Sequence, residues 1–147
     1  MSMTDIFRRL GRADALKLRE EAKNLTGTQI IDREYSIPAF DGKKDYSAWP
    51  AGSPVTDKGQ VWLLIQPHNA ENYVGRPSTL RALWGLAHTT NPAKAKLWVD
   101  PLGTSGMYMQ GECYKDADGA IYRAKQNNLV YDAKTWPDGW ETVEVSP

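Results

Sequence analysis

The fold is decided by the stretch Val55-Thr-Asp-Lys-Gly-Gln-Val-Trp62, in which two apolar ends flank the turn residues Asp57, Lys58 and Gly59. A tight hairpin turn requires a residue with positive φ, and glycine adopts that conformation without steric cost. Short apolar segments on either side of such a turn are typical of paired antiparallel strands. The stretch therefore predicts a small β-hairpin.

A second stretch, Cys113-Tyr-Lys-Asp-Ala-Asp-Gly-Ala-Ile-Tyr122, repeats the pattern with an Asp-Gly pair that strongly favours such turns. The two regions align over a longer span, with one extra residue before Gly119. The aligned pairs are Trp49 with Tyr108, Gly52 with Gly111, Val55 with Tyr114, Gly59 with Gly119, Val61 with Ile121, and Trp62 with Tyr122. Each copy then closes on a tryptophan, Trp84 or Trp140, so the chain contains an internal repeat.

The repeat predicts a mainly β fold with an N-terminal α-helix, in which two small three-stranded β modules stand in tandem. The expected units are an N-terminal helix at 1–27, an extended connector at 28–48, a first module at 49–90, a linker at 91–106 and a second module at 107–147. Domains below about 40 residues seldom stand alone, because they bury little apolar surface. We therefore expect the modules to pack on each other or on the helix.

Two segments outside the hairpins have weaker patterns. Between residues 28 and 50, Pro38 and Pro50 exclude a long helix, and we expect one short strand at residues 28–31. Residues 76–88 fit either a short helix capped by Ser78 or the closing strand that the repeat requires.

Residues 4–25 are rich in Leu, Ala, Arg, Lys and Glu and contain no proline, which predicts a helix that stops at Thr26-Gly27. Its apolar stripe is formed by Ala15, Leu18, Ala22 and Leu25, with Ile6, Phe7 and Leu10 extending it towards the start. Such a stripe either packs on its own domain or docks onto another chain. We expect a homo-oligomer through residues 4–25.

Charge and hydropathy exclude several classes of partner. Eighteen basic side chains balance eighteen acidic ones, and no block of five like charges occurs, so we expect no nucleic-acid partner. No stretch approaches the ~18 apolar residues of a membrane span, and the N-terminus lacks the apolar core of a signal peptide. We therefore expect no membrane partner and no secretion signal.

The residues that usually carry catalysis or metal binding are sparse. Cys113 is the only cysteine, and His68 and His88 have no companions at a metal-ligand spacing. Scattered carboxylates do not form the fixed pair that a glycosidase needs, and there is no phosphate-binding loop. We expect no enzymatic activity, no catalytic residue, no metal and no cofactor.

The repeat resembles the small carbohydrate-binding modules of families five and twelve, the chitin-binding type. The matching residues of the second copy are, in order, Tyr108, Gly111, Glu112, Cys113, Tyr114, Gly119, Ile121, Tyr122, Pro137 and Trp140. The first copy matches more loosely, because Ser53 takes the acidic position and an insertion at 68–77 precedes Trp84. The exposed aromatic pair of the family is replaced here by Leu64-Ile65-Gln66 and Ala124-Lys125-Gln126.

The resemblance implies a site in which sugar rings lie on aromatic faces while amides bind the hydroxyls. The candidate carbohydrate-binding residues are Trp136, Trp140, Tyr131, Asn128 and Trp84. Trp136 lies in a turn region before Pro137, so we expect it to be exposed. Trp62 follows the hairpin turn of the first copy, and the aromatic Tyr122 takes the same position in the second copy. We therefore expect Trp62 to pack in the core.

The whole chain is also similar to small proteins encoded beside tail-fibre genes in prophages of Gram-positive bacteria. This resemblance implies a non-catalytic, phage tail- or fibre-associated protein that binds a chitin-like or cell-wall polysaccharide on the host surface. Such a protein is assembled in the host bacterial cytoplasm and located in the virion tail. The alternative is a structural virion protein of the tail or baseplate, whose aromatic modules contact other proteins without binding sugar.

Overall fold

The computed structural model describes residues 2–103 and 105–145, and for residues 7–10 the backbone alone. Phe7 and Leu10 are expected to extend the apolar stripe, and their side chains lie outside the described part of the chain. Two α-helices, α1 (Met3–Glu21) and α2 (Gly27–Ile31), precede the strands. The first sheet contains β1 (Pro54–Asp57), β2 (Gln60–Leu64) and β3 (Trp84–Leu86), in that order. The second contains β4 (Lys96–Leu97), β5 (Cys113–Lys115), β6 (Ile121–Ala124) and β7 (Trp140–Val143), also in that order.

The predicted succession of one N-terminal helix and two small β modules is confirmed. All pairings within the two sheets are antiparallel except that of β4, which runs parallel to β5 as a strand that the sequence did not predict. Residues 76–88 form turns and then β3, so the closing strand is right and the helix capped by Ser78 is not formed.

The strand predicted at 28–31 is wrong, because these residues lie in α2. Thr26 begins this helix with a capping box: its hydroxyl accepts from the Gln29 amide N–H at 3.2 Å, and the Gln29 side chain accepts from the Thr26 N–H at 2.9 Å. This reciprocal pair satisfies two backbone donors that the first helical turn leaves open. Thr26-Gly27 therefore follows the end of one helix and starts the next.

The second half of α1 and the turn that follows it pack on the protein's own core. Leu18 and Ala22 are buried in an apolar cluster whose other members are Ile30, Ile31, Ile37, Val61 and Ala87. Of the two uses considered for the predicted stripe, packing on its own domain is thus confirmed for these two residues. Met3, Ile6 and Leu16 remain exposed. Neither of the two α-helices is both long enough and apolar enough to cross a membrane.

The end of α1 is held against the first module by two close approaches. The Arg19 guanidinium lies 3.8 Å from the centre of the Trp49 ring, a favourable cation–π geometry. Gly52 has φ +95°, and a Cβ there would lie 3.3 Å from the Lys23 Cα. A larger residue would therefore be strained and would push the helix away.

The strand register confirms the internal repeat. Val55 lies opposite Trp62 in the first hairpin, as Tyr114 lies opposite Tyr122 in the second. Each closing tryptophan pairs with the last residue of the preceding strand, so that Leu64 faces Trp84 and Ala124 faces Trp140. Gly52 and Gly111 also donate equivalent backbone hydrogen bonds, to the carbonyls of those same two strand residues.

One pair of the sequence alignment is wrong, because the counterpart of Tyr108 is Tyr46 and not Trp49. The Tyr46 N–H donates to the His68 carbonyl at 2.7 Å, and the Tyr108 N–H donates to the Leu129 carbonyl at 3.0 Å. Both rings are buried edge-on against the closing tryptophan of their module, at 5.2 and 5.5 Å between ring centres. Three additional residues separate Tyr46 from the following glycine, and the sequence alignment had no gap in this part of the repeat.

The repeat also begins earlier than the sequence predicted. Phe40 stacks on Tyr46, just as Trp98 stacks on Tyr108, with interplanar angles of 12° and 10°. Phe40 comes from the predicted connector 28–48 and Trp98 from the predicted linker 91–106, yet both pack against the module cores. The predicted connector 28–48 is thus not simply extended, since it contains most of α2 and supplies core residues.

The two sheets are joined by the chain that leaves β3. Ala87 donates its backbone N–H to Val61 at 2.9 Å, and two residues later the Thr89 carbonyl accepts from the Cys113 N–H at 2.8 Å. Helix α2 covers this segment at Gly27, where a Cβ would collide with the His88 carbonyl oxygen. The modules therefore pack through residues 87–89, a shared connecting segment beneath α2 that we call the strap. Such packing is expected for units too small to stand alone.

Replacing Leu18 with Ala is expected to lower the free energy of unfolding by about 2–5 kcal/mol, because the change empties a fully buried site. The matched control is Leu16→Ala on the same helix, where the exposed side chain should cost under about 1 kcal/mol. Urea unfolding followed by circular dichroism measures both. Equal losses in the two variants would show that α1 is not part of the core.

Candidate functional site

The loop between β6 and β7 carries three of the five residues predicted to bind carbohydrate. Trp136 is 46% exposed and Tyr131 is 58% exposed, and Asn128 lies between β6 and these two rings in the sequence. Together they line a groove of about 220 Å³, whose lining residues are Gln126, Asn128, Leu129, Val130, Tyr131 and Trp136. The groove thus combines two aromatic rings, two aliphatic side chains and two amides.

Buried aromatic residues of the second module hold this loop in place. The Trp140 indole N–H donates to the Tyr131 carbonyl at 2.9 Å, and the Tyr114 hydroxyl accepts from the Ala133 N–H at 2.8 Å. Burial raises the pKa of Tyr114 to about 12, so its hydroxyl stays neutral in ordinary buffers. The exposed rings are therefore carried by a loop whose backbone is tied to the core.

The Trp136 ring rests on a glycine. A Cβ built at Gly139 would lie 2.6 Å from the Trp136 Cδ1 and 2.8 Å from the Leu129 Cδ2. The backbone before the ring is also tied, because the Trp136 N–H donates to the Asp132 carbonyl at 2.8 Å. Only glycine at position 139 leaves space for the indole in this position.

The polar groups of the groove are uncharged amides. Asn128 adopts φ +61°, a left-handed conformation that asparagine tolerates better than most residues. The neighbouring Asn127 side chain accepts from the Gln110 N–H at 2.9 Å, which ties this end of the loop to the segment before β5. Amides donate and accept hydrogen bonds at once, which suits hydroxyl groups on a neutral ligand.

Two of the predicted binding residues are not available to a ligand. Trp140 is 5% exposed and Trp84 is fully buried, so the prediction that they present faces to sugar is wrong. Each ring fills the centre of its module, Trp140 against Tyr108 and Tyr114. A small β module has few large side chains for its core, and the closing tryptophan is used there. The expectation that Trp62 packs in the core is confirmed.

The first module does not repeat the groove. Both Trp62 and Trp84 are buried, and the ring of Trp49 is covered by Arg19. Its loop between β2 and β3 is longer and is tied back by Arg76, which makes a bidentate ion pair with the buried Asp57 at 2.6–3.2 Å. The two copies share a scaffold but differ in the loop that leads to the third strand.

Sequence reasoning missed Gln126, Leu129 and Val130 as lining residues. Gln126, Asn128 and Val130 follow one another at every second position after β6, and all three are exposed. This alternation in the sequence could have indicated that the three side chains share a face. However, it lies beyond the end of β6 and includes Asn128, whose backbone is left-handed. Their common orientation therefore depends on the loop conformation.

Other reactive groups are placed unfavourably for chemistry. Cys113 is buried in β5, and burial raises the pKa of its thiol, which disfavours the reactive thiolate. Across residues 2–103 and 105–145, no three His, Cys, Asp or Glu side chains are grouped so that they could hold a metal ion. His88 stacks on Tyr108 at 3.7 Å and contacts Glu112, within the contact between the modules.

Comparison with known protein families and with curated proteins finds no match to this chain. The two modules of the chain have a structural relation to each other. It comprises the equivalent strand register, the stacked ring pairs and the closing tryptophans described above.

Replacing Gly139 with Ala is expected to move the Trp136 ring, because the added methyl group occupies its place. The chain has six tryptophans, so a proton–nitrogen NMR spectrum should contain six indole signals, and Trp136→Phe identifies the relevant one. The control is Gly42→Ala, where the nearest side-chain atom lies 3.9 Å from the new Cβ. An unchanged Trp136 signal in the Gly139→Ala variant would contradict this description of the site.

Proposed function

We propose that this chain is a non-catalytic protein that binds a cell-surface polysaccharide in the groove of its second module. The observation that carries the proposal is the pair of half-exposed rings, Trp136 and Tyr131, in a groove that two amide side chains also line. Sugar rings present C–H faces that desolvate well against aromatic rings, and their hydroxyls pair with amides. No charged residue lines this groove, which favours a neutral glycan.

The size of the groove favours weak binding. A volume of about 220 Å³ is smaller than the sites that enclose a drug-sized ligand. We therefore expect micromolar to millimolar affinity, which corresponds to about −8 to −4 kcal/mol. Such affinity is useful when many copies act together, because linked sites raise the overall avidity without any new contact.

The setting that we propose is a phage tail or fibre, where several copies can face the host cell wall at once. The motivation is the resemblance of the chain to proteins encoded beside tail-fibre genes. In this setting the groove engages chitin-like or cell-wall polysaccharide, and α1 attaches the protein to the particle or to another copy of itself. Assembly takes place in the host cytoplasm, and release follows lysis.

Replacing Trp136 with Ala is expected to weaken polysaccharide binding about ten-fold or more while costing under about 1 kcal/mol of stability. Trp62→Ala should do the reverse and cost about 3–5 kcal/mol, because Trp62 is buried. Pull-down against chitin, cellulose and Gram-positive cell walls measures binding, and thermal unfolding measures stability. Tyr73→Ala is the matched control, since it removes an exposed aromatic ring of the first module.

Two results would count against the proposal. The first is the absence of binding to all three polysaccharides at high protein concentration. The second is an equal loss of binding in Trp136→Ala and Tyr73→Ala, which would mean that any exposed ring contributes and that the groove is not the site.

A structural tail or baseplate protein is the second candidate, and the start of α1 favours it. Outside residues 7–10, every side chain from Ser2 to Asp14 is exposed, and Met3 and Ile6 are apolar. Exposed apolar side chains on a helix that extends from the core are typical of contacts with another protein. This observation also supports the proposal of a homo-oligomer through residues 4–25.

The triple variant Met3→Ser, Ile6→Ser, Leu16→Gln is expected to lower the mass in solution without changing the melting temperature. It removes the large apolar side chains that are exposed among residues 3–6 and 11–21 of α1 but leaves Leu18 in the core. Light scattering coupled to size-exclusion chromatography measures the mass. A monomeric wild-type protein, or an oligomer that the triple variant leaves intact, would overturn assembly through this helix.

A further inference from the structure

Lysines from separate parts of the chain meet in a cleft of about 510 Å³ between the two modules. Its walls come from α2 and the turn that follows it, from the β1–β2 hairpin turn, and from β4 and β5. The lining residues are Ile31, Asp32, Glu34, Tyr35, Lys58, Gly59, Gln60, Lys94, Ala95, Lys96, Leu97 and Lys115. Four lysines thus face two acidic residues in a chain whose formal charge is zero.

The two acidic residues are already paired. Lys96 Nζ lies 2.7 Å from the Glu34 Oε2, and Lys94 Nζ lies 3.7 Å from the Asp32 Oδ1. Lys58 and Lys115 form no ion pair with any residue in the described part of the chain. The cleft therefore carries an excess of two positive charges.

The two lysines without an ion pair come from different modules. Lys58 has φ +51° and occupies the hairpin turn with Gly59, whereas Lys115 ends β5 of the other module. The buried Gln60 donates from its amide to the Leu97 carbonyl at 3.0 Å, which ties the first hairpin to β4. Tyr35 is 83% exposed at the rim.

The extent of the positive region is limited. Beyond Leu97 and Lys115 the surface continues into a second depression of about 310 Å³, where Asp116 and Asp132 stand beside Lys134. These two carboxylates would repel an anion that extended so far. The anionic part of a ligand is thus confined to the first cleft, whose volume suits a small molecule.

We propose that this cleft binds a compact phosphate-bearing ligand, as a site separate from the aromatic groove. Ammonium groups bind phosphate oxygens as point charges, and a concave surface concentrates the field of several such groups. Lys58 and Lys115 supply the charge that is not already neutralised, and Tyr35 offers a ring to the organic part of the ligand. The cleft and the groove share no lining residue, so neither proposal depends on the other.

Calorimetric titration of the full chain with pyrophosphate in low salt tests the proposal. The double variant Lys58→Gln, Lys115→Gln is expected to raise the dissociation constant about ten-fold or more, because charged hydrogen bonds are among the stronger polar contacts. The matched control is Lys17→Gln, Lys125→Gln, which changes the net charge equally at two exposed lysines outside the cleft. The control should leave the constant within about two-fold.

No binding of pyrophosphate, or an equal loss in both double variants, would overturn the site. Citrate that binds as tightly and with the same sensitivity to Lys58 and Lys115 would overturn the assignment to phosphate. Long-chain polyphosphate tests whether the ligand is compact. Binding no stronger than that of pyrophosphate is expected, because the carboxylates of Asp116 and Asp132 repel an anion that extends beyond the cleft. Stronger binding, with several proteins on each polyphosphate chain, would overturn the assignment to a compact ligand.

Discussion

The packing of a tyrosine ring edge-on against the closing tryptophan is the interaction on which both modules depend. Tyr46 meets Trp84 in the first module and Tyr108 meets Trp140 in the second, each pair completely or almost completely buried. Strands of two to five residues bury too little surface on their own. Large rings supply the missing apolar area, and the strap between the modules together with α1 supplies the remainder.

The same interaction explains how one copy acquired a groove and the other did not. In the second module the buried tryptophan has a further task, because its indole N–H holds the Tyr131 carbonyl and so carries the exposed loop. In the first module the Trp84 indole N–H is buried without a partner among the described residues, and the loop is instead tied by Arg76 and Asp57. A common core thus leaves the connecting loop free to diverge, as is usual for residues that bind ligands.

The contact between the modules forms the cleft that contains the four lysines. Helix α2 and its neighbouring turn lie over the strap, and they bring Asp32 and Glu34 towards lysines of β4 and the segment before it. The cleft arises where α2, the β1–β2 hairpin turn, β4 and β5 come together. The positively charged cleft and the neutral aromatic groove share no lining residue, so the two proposed sites are separate.

The features that depend on local chemistry could be predicted from the sequence alone. The hairpin turns follow from Gly59 and Gly119, and the first helix follows from its composition. Tertiary packing decided the rest, because exposure and proximity depend on distant parts of the chain. Trp136 and Trp140 are four positions apart, yet one is half exposed and the other buried. Lysines at 58, 94, 96 and 115 are no charge cluster in the sequence, and they become one because two hairpins and α2 meet at a single cleft.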